Sequence, residues 1–419
     1  MKFLINLCAQ DGVVSHNSGV GTMVKRYIEC FIKYFNKGVI SYDVNLFTPE
    51  YNSWGFGFSL ETKQFNESLE HFKIYQFSNG TEGKKFFGAR ENWVELCKNA
   101  AEVVNKQNME DYDYVFTIAN DTPFGGLLWT TKEASNHIKV FIPHSTAKIH
   151  QTEDVIKQNE DVMKRVEWEE KIVDYVNTHD RAYIGMVGLF IKNHIIEEYG
   201  LNKNKAIDYY NGEVLSSKTV YVENEECERL FGELDKNQDI LLSFGRPEHY
   251  KNLDASIKVA DALKIKSIII TSEYFPDMPY VNYLKELAKD KDCKLFVNVP
   301  FNFPQYIINH YPKNIILLVP SKKEIAGLVI NEIRKFNKPN ILLVSNDIDG
   351  LNEQVEDGKD AVLVDLEDIE GSAKKIKEHF NSETIKQINK GALERLKRDY
   401  DFEKNTKNFF ERLLKENKI

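Results

Sequence analysis

The chain has 419 residues, 42% hydrophobic and 28% charged, with 55 Lys and Arg against 64 Asp and Glu and a net charge of −9. That length suits two domains of roughly 200 residues better than one core, and the composition excludes a disordered or fibrous chain. An acidic balance without a long basic run argues against nucleic acid as a partner, because phosphate backbones select clustered Lys and Arg.

Met1–Gln10 has one lysine and a short apolar stretch without a small-residue cleavage site, so it reads as a first strand, Lys2–Cys8, and not a signal peptide. A glycine loop follows, Ser18-Gly19-Val20-Gly21, and then the amphipathic Thr22–Asn36. Two glycines let backbone amides approach a phosphate, and a helix start adds a favourable dipole. Val24 stands where the full dinucleotide fingerprint has its third glycine, so Gly19 and Gly21 alone are a weak signal. Tyr114–Ala119 and Val140–Pro143 are buried-strand candidates, and the second runs into His144. Ligand sites of open α/β sheets gather at such carboxyl ends, although a single histidine is more often structural. Glu167–Asn177 and Val187–Glu198 have helical patterns on either side of Arg181–Gly185.

Tyr209–Glu213 carries a turn signal and Glu223–Lys236 is polar and acidic, which places a domain boundary near residues 212–238. A second series then begins, with strands expected at Ile240–Phe244, Ser267–Thr271, Lys294–Val299, Ile315–Val319, Ile341–Ser345 and Ala361–Val364. Helices fit between them at Leu253–Leu263, Tyr280–Asp290, Pro304–Asn309 and Gly327–Phe336. Ser382–Asn417 is helical with a break near Tyr400–Phe402. Alternation of this kind predicts parallel sheets covered on both faces. The five cysteines form no CxxC pair, so reduced thiols in a cytoplasmic protein are expected in place of zinc or disulfides. No run of about 18 apolar residues occurs, so stable membrane insertion is not expected.

Two segments of the second half carry chemistry. Phe244-Gly245-Arg246-Pro247-Glu248-His249-Tyr250-Lys251 leaves a strand with two cations, suited to a departing diphosphate that has no metal to neutralise it. Pro320-Ser321 leads to Glu324, Gly327, Leu328 and Glu332. Carboxylates accept vicinal hydroxyl pairs, and the free amides of the Gly327–Val329 turn suit a phosphate. Taken singly, each feature also fits a solvated loop or helix surface.

In this order, the glycine loop, mid-chain His, Arg–Lys pair and Pro320-Ser321-x-x-Glu324-x-x-Gly327-Leu328-x-x-x-Glu332 motif resemble the retaining glycosyltransferases of family four. The likeness extends over Asp349-Gly350-Leu351-Asn352-Glu353 and Asp357-Gly358, the Tyr210-Asn211-Gly212 turn and Asp399-Tyr400-Asp401-Phe402. It implies the GT-B fold: two Rossmann-like α/β domains with parallel sheets facing across a deep cleft, and a C-terminal helix crossing back. The implied parts are an acceptor-side domain at 1–212, a linker at 213–237, a donor-binding domain at 238–400 and the returning helix at 401–419. Arg246 and Lys251 would bind the diphosphate, Glu324 the donor-sugar hydroxyls and Glu332 the ribose. Amides near Gly19, Gly21, Gly327 and Leu328 would add phosphate contacts, and His144 would line the reaction centre with a catalytic role beside Glu324, Arg246 and Lys251.

The resemblance implies a metal-independent hexosyltransferase without a cofactor, taking a nucleoside-diphosphate sugar as donor. The acceptor reads as a small soluble sugar or cyclitol, near Tyr51–Phe58, Phe86–Arg90 and Asn120–Pro123. Alternatives are transfer to a cell-surface polysaccharide or lipid, and a non-catalytic protein that binds a nucleotide sugar. The segment Ile333–Leu342 departs from the family pattern by keeping only Pro339 of its Gly-x-Pro strand. Asp347-Ile348-Asp349 matches a metal-binding Asp-x-Asp but reads as turn chemistry.

Overall fold

The computed structural model describes the whole chain except residues 16–17, 36–39, 53–56, 82–87, 218–223 and 418–419. Trp54, Phe56, Phe86 and Phe87 of the aromatic stretches considered for the acceptor lie outside the described residues. The chain divides into two compact units, one of Met1–Val214 with Phe402–Ile419, the other of Leu215–Asp401.

The first unit has seven parallel strands: β1 (Lys2–Ala9), β2 (Ser41–Pro49), β3 (Phe72–Phe77), β4 (Tyr114–Asn120), β5 (His137–Ile142), β6 (Ala182–Met186) and β7 (Ala206–Asp208). Their order is β3-β2-β1-β4-β5-β6-β7. The chain therefore leaves β1 in one direction and returns on its other side at β4, which makes the carboxyl ends of β1 and β4 the switch point of the sheet. β1 is buried from its second residue onward, as a strand covered on both faces must be.

The last helix, Phe402–Glu416, belongs to this unit and packs on the helix Gly19–Phe35. Aromatic rings hold it there: Tyr209 stacks on Phe409 with centroids 4.2 Å apart, and Phe410 meets Phe31 and Phe116 edge-on. Phe402, Phe409, Phe410 and Leu413 are fully buried, each stabilising by about 1.5–3 kcal/mol. Arg26 fixes the Tyr210–Glu213 turn by donating to the Gly212 carbonyl at 2.9 Å and pairing with Glu213 at 2.5 Å. The Phe402 N–H donates to the Glu213 carbonyl, so the outgoing and returning chain segments are tied together.

The second unit has six parallel strands: β8 (Ile240–Phe244), β9 (Lys266–Thr271), β10 (Cys293–Val297), β11 (Ile315–Val319), β12 (Ile341–Asn346) and β13 (Val362–Val364). The order β10-β9-β8-β11-β12-β13 puts its switch point between β8 and β11. Helices Leu253–Leu263, Pro279–Lys289, Phe303–His310, Leu328–Phe336 and Ile369–His379 alternate with the strands. The stretch 213–237 contains the helix Glu225–Gly232, whose Cys227, Leu230 and Phe231 enter the core of this unit. Among the described residues no helix is long and apolar enough to cross a membrane. The five cysteines are unpaired.

Candidate functional site

In the second unit, the loop leaving β8 carries Arg246 and Lys251, and the loop leaving β11 carries Glu324, so the three lie on the two sides of the switch point. Lys251 Nζ donates to Glu324 Oε2 at 2.7 Å, with the two side chains 19% and 23% exposed. Arg246 donates to the Tyr250 hydroxyl at 2.6 Å and lies 3.6 Å from Glu248. Burial works against the Arg246 charge, yet Tyr250, Glu248, Tyr274 and Glu324 outweigh it, and the guanidinium pKa is raised. Burial has the opposite effect on the Tyr250 phenol, whose pKa it raises. Arg246, Lys251, Tyr250 and Glu324 thus form one electrostatic cluster.

Backbone contacts stitch the two loops into one surface. The Lys322 N–H donates to the Tyr250 carbonyl at 2.7 Å, and Asn252 Nδ2 donates to the Pro320 carbonyl at 3.1 Å. Asn252 itself has φ 55, a left-handed conformation that Asn tolerates better than most residues. Asn346 Nδ2 donates to the Ser321 carbonyl at 3.0 Å. Gly350 closes the arrangement: at φ +79, a Cβ there would stand 2.1 Å from the Glu324 carbonyl oxygen. Only glycine lets the Asp349–Leu351 turn press on the Glu324 backbone and hold it.

Helix Leu328–Phe336 begins directly after this loop, and its cap residue Gly327 supplies no side-chain acceptor. The first amides of that helix point out of its start, where an anion is favoured. Gly327 has a packing reason as well, since a Cβ would fall 2.5 Å from Leu351. Glu332 is half-buried on this helix. Asp347 takes part in the turn, accepting from Asn352 Nδ2 at 3.2 Å. Among the described residues no group of three or more His, Cys, Asp or Glu is placed to hold a metal.

Gly19, Gly21 and His144 belong to the first unit. Gly19 and Gly21 lie in the first turn of helix Gly19–Phe35, where the Gly21 N–H donates to Ser18 Oγ at 3.0 Å. A third glycine, Gly12 at φ +90, packs against that turn so closely that a Cβ would come 2.6 Å from the Gly21 carbonyl. Close approach of loop to helix is therefore one physical reason for the glycines, and His16 and Asn17 of the same loop lie outside the described residues.

His144 follows β5, its Nε2 2.9 Å from Asn120 Oδ1 at the end of β4. Burial lowers its pKa, and the neighbouring Asp121 charge opposes that shift. The residues after His144 are held by side chains of two helices, with the Arg165–Glu169 pair serving both Ser145 and Ala147. Arg165 donates to Ser145 Oγ at 2.8 Å, His194 Nε2 lies 2.9 Å from Thr146 Oγ1, and the Ala147 N–H donates to Glu169 at 2.9 Å.

Tyr250, Asn252, Gly350 and Glu169 shape these loops and carry no sequence signal beyond the turn residues of Asp349-Gly350. Asp121, in the Asn120–Pro123 segment considered for the acceptor, sits at φ 72 and ψ 164, a region almost confined to glycine, at the carboxyl end of β4. Strain of that kind collects at functional sites.

Residues 225–395, within the second unit, match the family model for glycosyl transferases group 1. Among solved structures, a sucrose-phosphate synthase from Thermosynechococcus elongatus is 16% identical with a TM-score of 0.70, covering 97% of each chain. A glycosyltransferase from Rickettsia africae is 16% identical with a TM-score of 0.69, covering 100% of this chain and 99% of the other. The Anabaena protein HepE in complex with UDP-glucose is 15% identical with a TM-score of 0.65, covering 97% of this chain and 98% of its own. These likenesses give the fold, which is GT-B with two Rossmann-like domains. No curated protein matches the chain.

Proposed function

We propose that this protein is a retaining, metal-independent glycosyltransferase that takes a uridine-diphosphate sugar and passes its hexose to the hydroxyl of a small sugar or cyclitol. The observation that carries the reading is the meeting of Arg246, Lys251 and Glu324 across the β8/β11 switch point, at the start of helix Leu328–Phe336. Two cations and a row of amides suit a diphosphate, while a carboxylate beside them suits the hydroxyls of the sugar attached to it. The uridine nucleotide is proposed from HepE, solved with UDP-glucose, and from the Escherichia coli trehalose-6-phosphate structure bound with UDP-2-fluoro glucose.

In this reading the bond from the sugar's anomeric carbon to the diphosphate breaks on one face, and the acceptor oxygen bonds to the same face. The acceptor proton leaves on a phosphate oxygen, so no side-chain nucleophile is needed. Arg246 and Lys251 stabilise the charge that develops on the diphosphate. Glu332 is assigned to the ribose, Gly19, Gly21, Gly327 and Leu328 to phosphate contacts through their amides, and His144 to the donor sugar. The domain roles follow: donor binding at 238–400, acceptor binding at 1–212. The unpaired cysteines favour a cytoplasmic setting.

The test offers UDP-glucose and other nucleotide sugars, with free sugars and cyclitols, to the protein in EDTA and follows nucleotide release and the new linkage by NMR. Acceptor-dependent release of UDP and a product that keeps the donor's anomeric configuration are expected. An inverted product, or turnover only with added Mg²⁺, would contradict the assignment.

A further inference from the structure

Resting on that reading, the Lys251–Glu324 contact raises a question of charge. The proposed function gives Lys251 to the diphosphate and Glu324 to the sugar, yet the two side chains are hydrogen-bonded to each other at 2.7 Å. Arg246 differs, because the group that accepts its 2.6 Å bond is the Tyr250 hydroxyl, and among the described residues its carboxylate neighbour is Glu248 at 3.6 Å. Both members of the Lys251–Glu324 pair are partly open to solvent, so they can change partners. The Glu324 backbone cannot retreat, being pressed by Gly350 on one side and followed by the packed Gly327 turn on the other. Any nucleotide that reaches Lys251 therefore does so beside a carboxylate held in place.

A carboxylate next to a diphosphate is repelled unless hydroxyl donors occupy it. A nucleotide sugar brings those hydroxyls, whereas the nucleoside diphosphate left after transfer does not.

We propose that Glu324 is a built-in competitor of the diphosphate for Lys251. A nucleotide sugar separates the pair by offering phosphate to Lys251 and hydroxyls to Glu324 at once. When the sugar has gone to the acceptor, Glu324 loses its hydroxyl partners and reclaims Lys251. That exchange weakens the hold on the product nucleotide and makes the site prefer a nucleotide that still carries its sugar.

The proposal makes an unusual prediction for a group in the catalytic machinery: removing its charge tightens product binding. Calorimetry in EDTA on the full chain, with UDP and with UDP-glucose, should show Glu324→Gln binding UDP roughly tenfold more tightly than the unsubstituted protein. UDP-glucose affinity should stay within roughly threefold or weaken, because lost repulsion and lost hydroxyl contacts offset each other. The preference between the two ligands then swings toward UDP. In a Lys251→Gln background the tightening should disappear, since the competition acts through that ammonium.

Unchanged or weaker UDP binding in Glu324→Gln would overturn the competitor role and leave the transferase reading standing. Equal tightening with and without Lys251 would overturn it too, by showing a general field effect. Failure of the unsubstituted protein to bind UDP or any other nucleoside diphosphate would remove both.

Discussion

Lys139 lies within β5 of the first unit and Lys251 in the loop leaving β8 of the second, and their surroundings differ in kind. Lys139 is 2% exposed and donates to the Leu128 and Thr131 carbonyls, Glu133 and the Tyr175 hydroxyl at 2.5–3.0 Å. Burial lowers its pKa, with Glu133 pulling the other way. Four acceptors leave such a cation no freedom to serve a ligand. Lys251 has Glu324 as its hydrogen-bond partner among the described residues and retains access to solvent. The second unit has a walled-in cation of its own, Arg334, fully buried against Asp360 at 2.9 Å and beside the Tyr400 ring. Burial of a charge therefore does not separate architecture from function here. Spare hydrogen-bonding capacity at a switch point does.

That contrast is broken or sharpened most strongly at Glu324. If the exposed pair is functional, Glu324→Gln should lower turnover at least 100-fold, about 3 kcal/mol of transition-state stabilisation, with little change in melting temperature. Full activity in that variant would put Glu324 outside the chemistry.

Next in size is Gly350→Ala, which tests whether the Glu324 loop is held from behind. A Cβ at φ +79 and 2.1 Å from a carbonyl oxygen should destabilise the second unit by about 3 kcal/mol. Denaturant unfolding measures this, and an unchanged midpoint would show that the turn can shift freely.

A smaller effect belongs to the walled-in side of the comparison. His137 beside Lys139 donates from Nδ1 to the Lys132 carbonyl at 2.9 Å, so its Nε2 is left to accept from the Thr117 hydroxyl at 2.8 Å. Burial pushes its pKa down to about 4, and the Lys139 and Lys132 charges add to that. The unfolded chain takes up the proton near pH 6.5, whereas the folded chain does so only near 4. Stability from the neutral ring is therefore full above about pH 6.5 and falls as the pH drops toward 4, by up to about 2–3 kcal/mol. His137→Gln should flatten that part of the stability profile, and an unchanged slope would locate the acid sensitivity elsewhere.

The same contrast governs what the sequence reveals. Ile240–Phe244 and Ile315–Val319 coincide with the observed strands, because strands covered on both faces read as unbroken apolar runs with sharp ends, and Leu253–Leu263 coincides with a helix whose apolar residues recur at helical spacing. In the first unit, β2 and β3 escape notice. Asp43 and Asn45 interrupt β2, and β3 is an edge strand of half-buried residues. β5 begins at His137, ahead of the expected Val140, because His137 and Lys139 are polar residues inside a strand and only their tertiary partners explain their burial. β10 ends at Val297 and not Val299, since Asn298 turns the chain at φ 56. At the candidate site, Arg246, Lys251 and Glu324 are legible as residue types at strand ends. Tyr250 and the Gly350 brace are not, because their roles arise from contacts between loops distant in sequence.

The account depends on Arg246 and Lys251 holding a diphosphate without help from a metal. Calorimetric titration of UDP into the full chain in EDTA tests this directly, alongside Lys251→Ala. Binding that persists in EDTA and weakens roughly tenfold or more in the variant is the predicted result. Binding that requires Mg²⁺, or that Lys251→Ala leaves untouched, would contradict it.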